Sequence, residues 1–224
     1  MFKLISLKSL SAVAMSGLLA ACAGPAQRPD YTAFKKSQPR SILALPPVNE
    51  TSDVKATHGV LSQVTLPLAE SGYYVIPVGP MEETFKQNGL TTPTDIQEVA
   101  PAKLHDIFGA DAALYVKVTQ YGSVYAVLDS TTVVAVSAKL VDLKAGDVLW
   151  QGTARATGKE LGGNFDASGF GLVGMLVQAA VKQVAQTLSD ESVKVAGLAS
   201  QRLLSGGPPN GLLYGPHSPK YGTD

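Results

Sequence analysis

The chain has 224 residues, 45% of them hydrophobic, with 18 basic and 18 acidic side chains and one cysteine. That balance leaves no cationic excess to bind phosphates, which argues against nucleic acid as a main partner. A single thiol excludes an internal disulfide framework and a cysteine-built zinc site.

Residues 1–21 read as a removable leader. Lys3 and Lys8 give a positive start, Leu10 to Leu19 an apolar centre, and Ala20 and Ala21 the small residues that suit a signal peptidase. The leader closes on Leu18-Leu19-Ala20-Ala21-Cys22, which resembles a bacterial lipobox. On that reading Cys22 is diacylated, cleaved free and then N-acylated. The alternative is a plain secretory signal with a chance cysteine. Two or three acyl chains anchor stably, because each buried methylene contributes about 0.8 kcal/mol. Ala23 rather than Asp follows Cys22, and the likeness to lipoproteins of diderm bacteria then implies the outer membrane; the domain is expected to face the periplasm, with the cell exterior left open as the alternative. Past the leader there is no uninterrupted apolar stretch of about 18 residues, so no spanning helix is expected.

Residues 22–40 are rich in Pro, charge and small side chains, and read as a flexible tether. The periplasmic domain is expected over 41–204. It opens with the apolar run Ser41 to Leu45, stopped by Pro46 and Pro47, which reads as a buried strand. A helical segment follows the polar loop Asn49 to Asp53 and runs to Ser71. It places Val60, Leu61, Val64 and Leu68 on one face and stops at Gly72, with Pro67 expected to kink or split it. Tyr73 to Val78 reads as a second strand, Met81 to Asn88 as a short helix, and Thr94 to Ala100 with Pro101 to Phe108 as further helix.

From Ala112 the period changes to that of strands: Ala112 to Tyr121, Val124 to Leu128, Thr131 to Asp142 and Val148 to Thr157. Val134, Val136, Ala138 and Leu140 share one face, and Ser137 and Lys139 take the other. That pattern describes a sheet covered on one side and wetter on the other. Gly146 offers a positive φ in the turn between the last two strands. Phe170 to Leu188 returns to helical spacing, and Asp190 to Leu204 continues as a weaker helix. The tail 205–224 carries too little apolar surface for a core of its own and is expected to be disordered. The fold class expected is α/β: a single mixed sheet with an antiparallel meander, helices packed on it, and a lipid-anchored N-terminus.

Several blocks resemble a family of bacterial lipoproteins of unknown function, of the neisserial surface-antigen type. They are Ile42 to Asn49, Leu68 to Pro77, Glu83 to Leu90, Asp106 to Ala112, and Ala138 to Leu143 with Gly146 to Trp150. More distantly the chain is similar to the TolB amino-terminal domain, the curli secretion lipoprotein and the lipoproteins that activate peptidoglycan synthases. The resemblance implies a compact α/β domain used for protein contacts, beside envelope proteins such as a curli-secretion-like lipoprotein, with no catalytic centre. It supplies no catalytic residue.

No competing chemistry emerges from the residues. Gly169 to Gly174 spells G-x-G-x-x-G, but it follows a meander rather than opening a βαβ unit, so close helix packing is the preferred reading and no cofactor is expected. Ala167 to Val181 is apolar but too short to span, which favours a core helix over an interfacial one. His58, His105 and His217 share no metal-ligand spacing, and no G-x-S-x-G nucleophile motif occurs. Trp150, Tyr115, Tyr121 and Tyr125 lie on expected strands and read as packing rather than interface anchors. The last hairpin could form part of a pore, but its polar face is patchy and lacks an aromatic girdle. The sequence therefore points to a non-enzymatic outer-membrane lipoprotein, an accessory protein-binding component of a curli-type secretion or assembly system. Homo-oligomerisation stays open, as does the alternative of a lipid- or glycan-binding carrier or sensor.

Overall fold

A computed structural model describes residues 29–126, 129–162, 191–207 and 211–223. The chain enters through helix α1 (Thr32–Ser37) and runs into β1 (Ser41–Ala44). The unbroken apolar run of β1 reflects burial on two sides: Ile42 and Ala44 enter one core, Leu43 and the following Leu45 the other. After the two prolines, β2 (Val48–Asn49) leads to α2 (Ala56–Glu70) and then to β3 (Tyr74–Val75). Three short helices follow, α3 (Val78–Gln87), α4 (Pro93–Gln97) and α5 (Pro101–Phe108). The meander is β4 (Ala112–Ala126), β5 (Asp129–Asp142) and β6 (Val148–Thr157). Helices α6 (Gly158–Gly162) and α7 (Glu191–Leu204) complete the described elements.

The sheet order is β3-β1-β4-β5-β6, with β2 also paired to β4. β1 is parallel to both β3 and β4, while β4, β5 and β6 are antiparallel. This order places the helices. Crossovers between parallel strands are right-handed almost without exception, so the connection from β1 out to β3 and the one from β3 back past β1 to β4, which run in opposite directions across the sheet, land on opposite faces. Accordingly α2 lines one core together with α7, and α3, α4 and α5 line the other. The α/β class, the single mixed sheet and the antiparallel meander are as expected.

Several local expectations are corrected. Pro67 does not split α2, which continues to Glu70. Pro67 stands in the last turn, where its missing N–H removes one i→i−4 bond and leaves the rest of the ladder intact. The helix then closes by a Schellman motif, with Tyr73 N–H donating to Leu68 O and Gly72, at φ 95°, donating to Ala69 O. The strands expected at Ala112 to Tyr121 and from Val124 are one strand, β4, bulged between Val118 and Gln120 and continuous through Gly122 at φ 104°. The helix expected over Phe170 to Leu188 lies outside the described residues.

The tether and the tail also depart from expectation. Within 22–40, residues 32–37 form α1, and Phe34 is buried in the α2/α7 core with Tyr31 edge-on against it at 6.3 Å. The tail expected to be disordered is docked over most of its length. Leu212 is fully buried, Gly207 N–H donates to Leu212 O, and Gly215 N–H and His217 N–H donate to Ser71 O and Gly72 O. Tyr31 Oη donates to Gly211 O at 2.6 Å and Tyr73 Oη to Leu213 O at 2.5 Å. These residues build no core of their own; they complete one at the end of α2 and satisfy their backbone there.

Candidate functional site

Cys22 and the Gly169 to Gly174 stretch lie outside the described residues. The histidines are dispersed. His58 stands 3.7 Å from Glu82 on an exposed surface, His105 Nδ1 is 2.7 Å from Ala110 O, and His217 is tied to Gly72 by its backbone. Among the described residues no group of three metal-ligating side chains forms, and no helix is long and apolar enough to cross a membrane. Trp150 and Tyr121 are buried in the α2/α7 core and Tyr115 in the other, so the packing reading holds for all three. The Tyr125 side chain lies outside the description.

Among the described residues, one region of a sheet face carries no helical cover. Helices α3 to α5 cover β1 and the beginning of β4, where Ala113, Tyr115, Val141 and Leu143 close the second core. Beyond Tyr115 that cover ends, and the same face of β4, β5 and β6 turns polar. The register aligns Tyr115, Lys139 and Gln151 in one row and Lys117, Ser137 and Thr153 in the next. With Gln97 of α4 as one wall, these side chains line a concavity of about 510 Å³. Lys117, Lys139, Gln151, Thr153 and Arg155 are all exposed. The opposite face of the same strands, carrying Val116, Val118, Val134, Val136 and Leu140, is sealed by α2 and α7.

The wall is fixed by hydrogen bonds. Gln97 Nε2 donates to Pro46 O at 2.8 Å and to Val116 O at 3.0 Å, which holds α4 against the strand that begins the open region. Lys139 Nζ sits 5.0 Å above the Tyr115 ring, a cation–π contact that covers the aromatic face. Burial pushes the Tyr115 phenol up, so it stays protonated near neutral pH. Lys117 Nζ meets Glu50 Oε1 at 3.3 Å, with both side chains about half exposed.

At the other end of these strands two carboxylates knit the entering chain to the body. Asp142 accepts from Ser37 Oγ at 2.5 Å and from the Lys144 and Ala145 N–H groups at 2.7 and 2.6 Å. Asp111 accepts from the Arg40 N–H and Ser41 Oγ, both at 3.1 Å, and from Lys144 Nζ at 3.3 Å. Burial alone would push both carboxyls up. The hydrogen bonds and the Lys144 ammonium together outweigh it and hold both below the usual carboxylate value of 3.8.

The sequence reading noted Lys139 and Ser137 as wet-face positions but did not assemble the surface. The signal was present. β4, β5 and β6 each alternate apolar with polar residues, and none of the polar positions in the open region is acidic.

Residues 29–217 match the family model described as "Putative lipoprotein GNA1162-like". The chain belongs to this family. It is 51% identical over 187 residues to "Putative lipoprotein NMB1124/NMB1162" of Neisseria meningitidis serogroup B, covering 84% of this chain and 85% of that protein. The crystal structure of lipoprotein GNA1162 from Neisseria meningitidis aligns at 50% identity and a TM-score of 0.52, covering 66% of this chain and all of that one. A PelC dodecamer from Paraburkholderia phytofirmans aligns over 79% of this chain and 91% of its own at 16% identity and a TM-score of 0.42. Likeness that remote carries no functional meaning. The family description names a lipoprotein and no reaction.

Proposed function

We propose that this chain is a non-enzymatic lipoprotein of the outer membrane, held there by acyl groups on Cys22. Its α/β domain faces the periplasm and binds envelope proteins as an accessory to secretion or surface assembly of the curli type. The observation that carries this reading is membership of a lipoprotein family over residues 29–217, with a lipobox-like Leu-Ala-Ala-Cys sequence just upstream of the matched region. The polar, open concavity suits a protein surface better than an acyl chain, which would need an enclosed apolar lining.

Cys22→Ser tests the anchor. The variant should keep the far-UV spectrum and Tm of the wild-type domain and move from the outer-membrane to the soluble fraction. Continued acyl labelling and membrane fractionation of Cys22→Ser would overturn it. The binding role is tested by pull-down of the acylated chain from detergent-solubilised envelopes; recovery of the chain alone would defeat it.

A further inference from the structure

The open region of the sheet is more specific than a generic wet surface. Lys117, Lys139 and Arg155 come from three adjacent strands and project from one face, with Ser137, Thr153 and Gln151 between them and Gln97 alongside. In a chain whose charges balance overall, the residues lining this concavity include two lysines and no acid. Among the described residues Glu50 pairs with Lys117 at its edge, in an exposed ion pair of the kind that contributes little and exchanges readily.

We propose that this face binds an extended acidic segment of a partner protein, a conclusion that rests on the protein-binding reading above and names its site and chemistry. Charge complementarity selects the sign of the occupant. Spacing selects an extended peptide. Lys117 lies opposite Ser137, so Lys139 is its diagonal neighbour on β5, a separation of about 7–8 Å. Carboxylates at alternate positions of an extended chain project from one side about 6.6–6.8 Å apart. The intervening Ser, Thr and Gln side chains supply donors and acceptors for the peptide backbone. An acidic glycan is disfavoured because the lining offers no bare aromatic platform. Tyr115 is buried under Lys139, and Trp150 belongs to the opposite face. The chain's own residues 31–40 carry Lys35, Lys36 and Arg40 and no acid, so that segment lacks the charge to occupy the face.

Fluorescence anisotropy of the full acylated chain in detergent, with a labelled peptide of alternating Glu and Thr, tests the proposal. A matched Gln/Thr peptide and an oligogalacturonate serve as comparisons. The acidic peptide should bind and weaken at high salt, and Lys117→Gln with Lys139→Gln should reduce affinity at least about tenfold. The Tm should be unchanged, since both side chains are exposed. No binding, or equal binding by the double variant, overturns the proposal. So does tighter binding of the oligogalacturonate, or self-association that the double variant abolishes, which would assign the face to a second copy. A parallel envelope pull-down separates the two claims. Partners recovered equally by wild type and double variant leave protein binding standing and refute this face. Partners lost with the double variant support both claims. Peptide binding without any envelope partner supports the site and defeats the accessory role.

Discussion

Asp142 accepts three hydrogen bonds on two oxygens. It caps the β5–β6 turn through the Lys144 and Ala145 N–H groups, and it takes the Ser37 hydroxyl from the end of α1. Asp111 repeats the arrangement at the mouth of β1. Both carboxyls titrate below 3.8 in the fold and return to about that value on unfolding. Their stabilisation is therefore complete above the unfolded value and is lost as pH falls through the lower folded values. We expect Tm to be flat from neutral pH down to about 5 and to fall steeply below about 4. Asp142→Asn keeps an oxygen for the turn but loses the charge. It should lower Tm at pH 7 and flatten the acid limb; an unchanged limb in differential scanning calorimetry would assign the acid sensitivity elsewhere.

Among the elements, the ends of the described chain hold each other. Tyr31 reaches Gly211, and the segment carrying Leu212 lies against the close of α2. Truncating a buried leucine to alanine costs about 2–5 kcal/mol, and a terminal segment that can peel away limits the loss to the lower part of that range. Leu212→Ala should therefore destabilise by about 2–3 kcal/mol and expose the tail to protease. Wild-type Tm with intact protease resistance would show that Leu212 is not a packing residue. Elements with strong internal periodicity were legible in sequence. β5 alternates Val134, Val136, Ala138 and Leu140 against Ser137 and Lys139, and β1 reads as an apolar run. Helix α1 and the tail were not legible, because what orders them is remote: Phe34 enters a core built by α2 and α7, and Gly206, Leu213, Gly215 and His217 find hydrogen-bond partners in Ser71, Gly72 and Tyr73. The candidate surface was half legible. Alternation revealed the wet face, but where α3 to α5 end along β4 depends on crossover topology that no local pattern encodes.

For the whole molecule, the two cores are not independent units. They share β1 and β4, whose successive residues alternate between them: Ile42 with Leu43, and Ala112 with Ala113. Removing either helical layer would expose one side of strands that the other layer needs in place. The described domain should therefore unfold in a single transition, with the fluorescence of Trp150 and the far-UV signal coincident and calorimetric and van't Hoff enthalpies equal. Two resolved transitions would mean that the helical layers melt separately.

The burial of Phe34 and the Tyr31–Gly211 bond also set a distance. Tyr31 is fixed to the body, and the nine residue steps from there back to Cys22, where acylation is proposed, span at most about 30 Å when fully stretched. A domain on so short a line stays close to the bilayer that holds it, and anything it engages must come within that length plus the domain's own width or be seated in the same membrane.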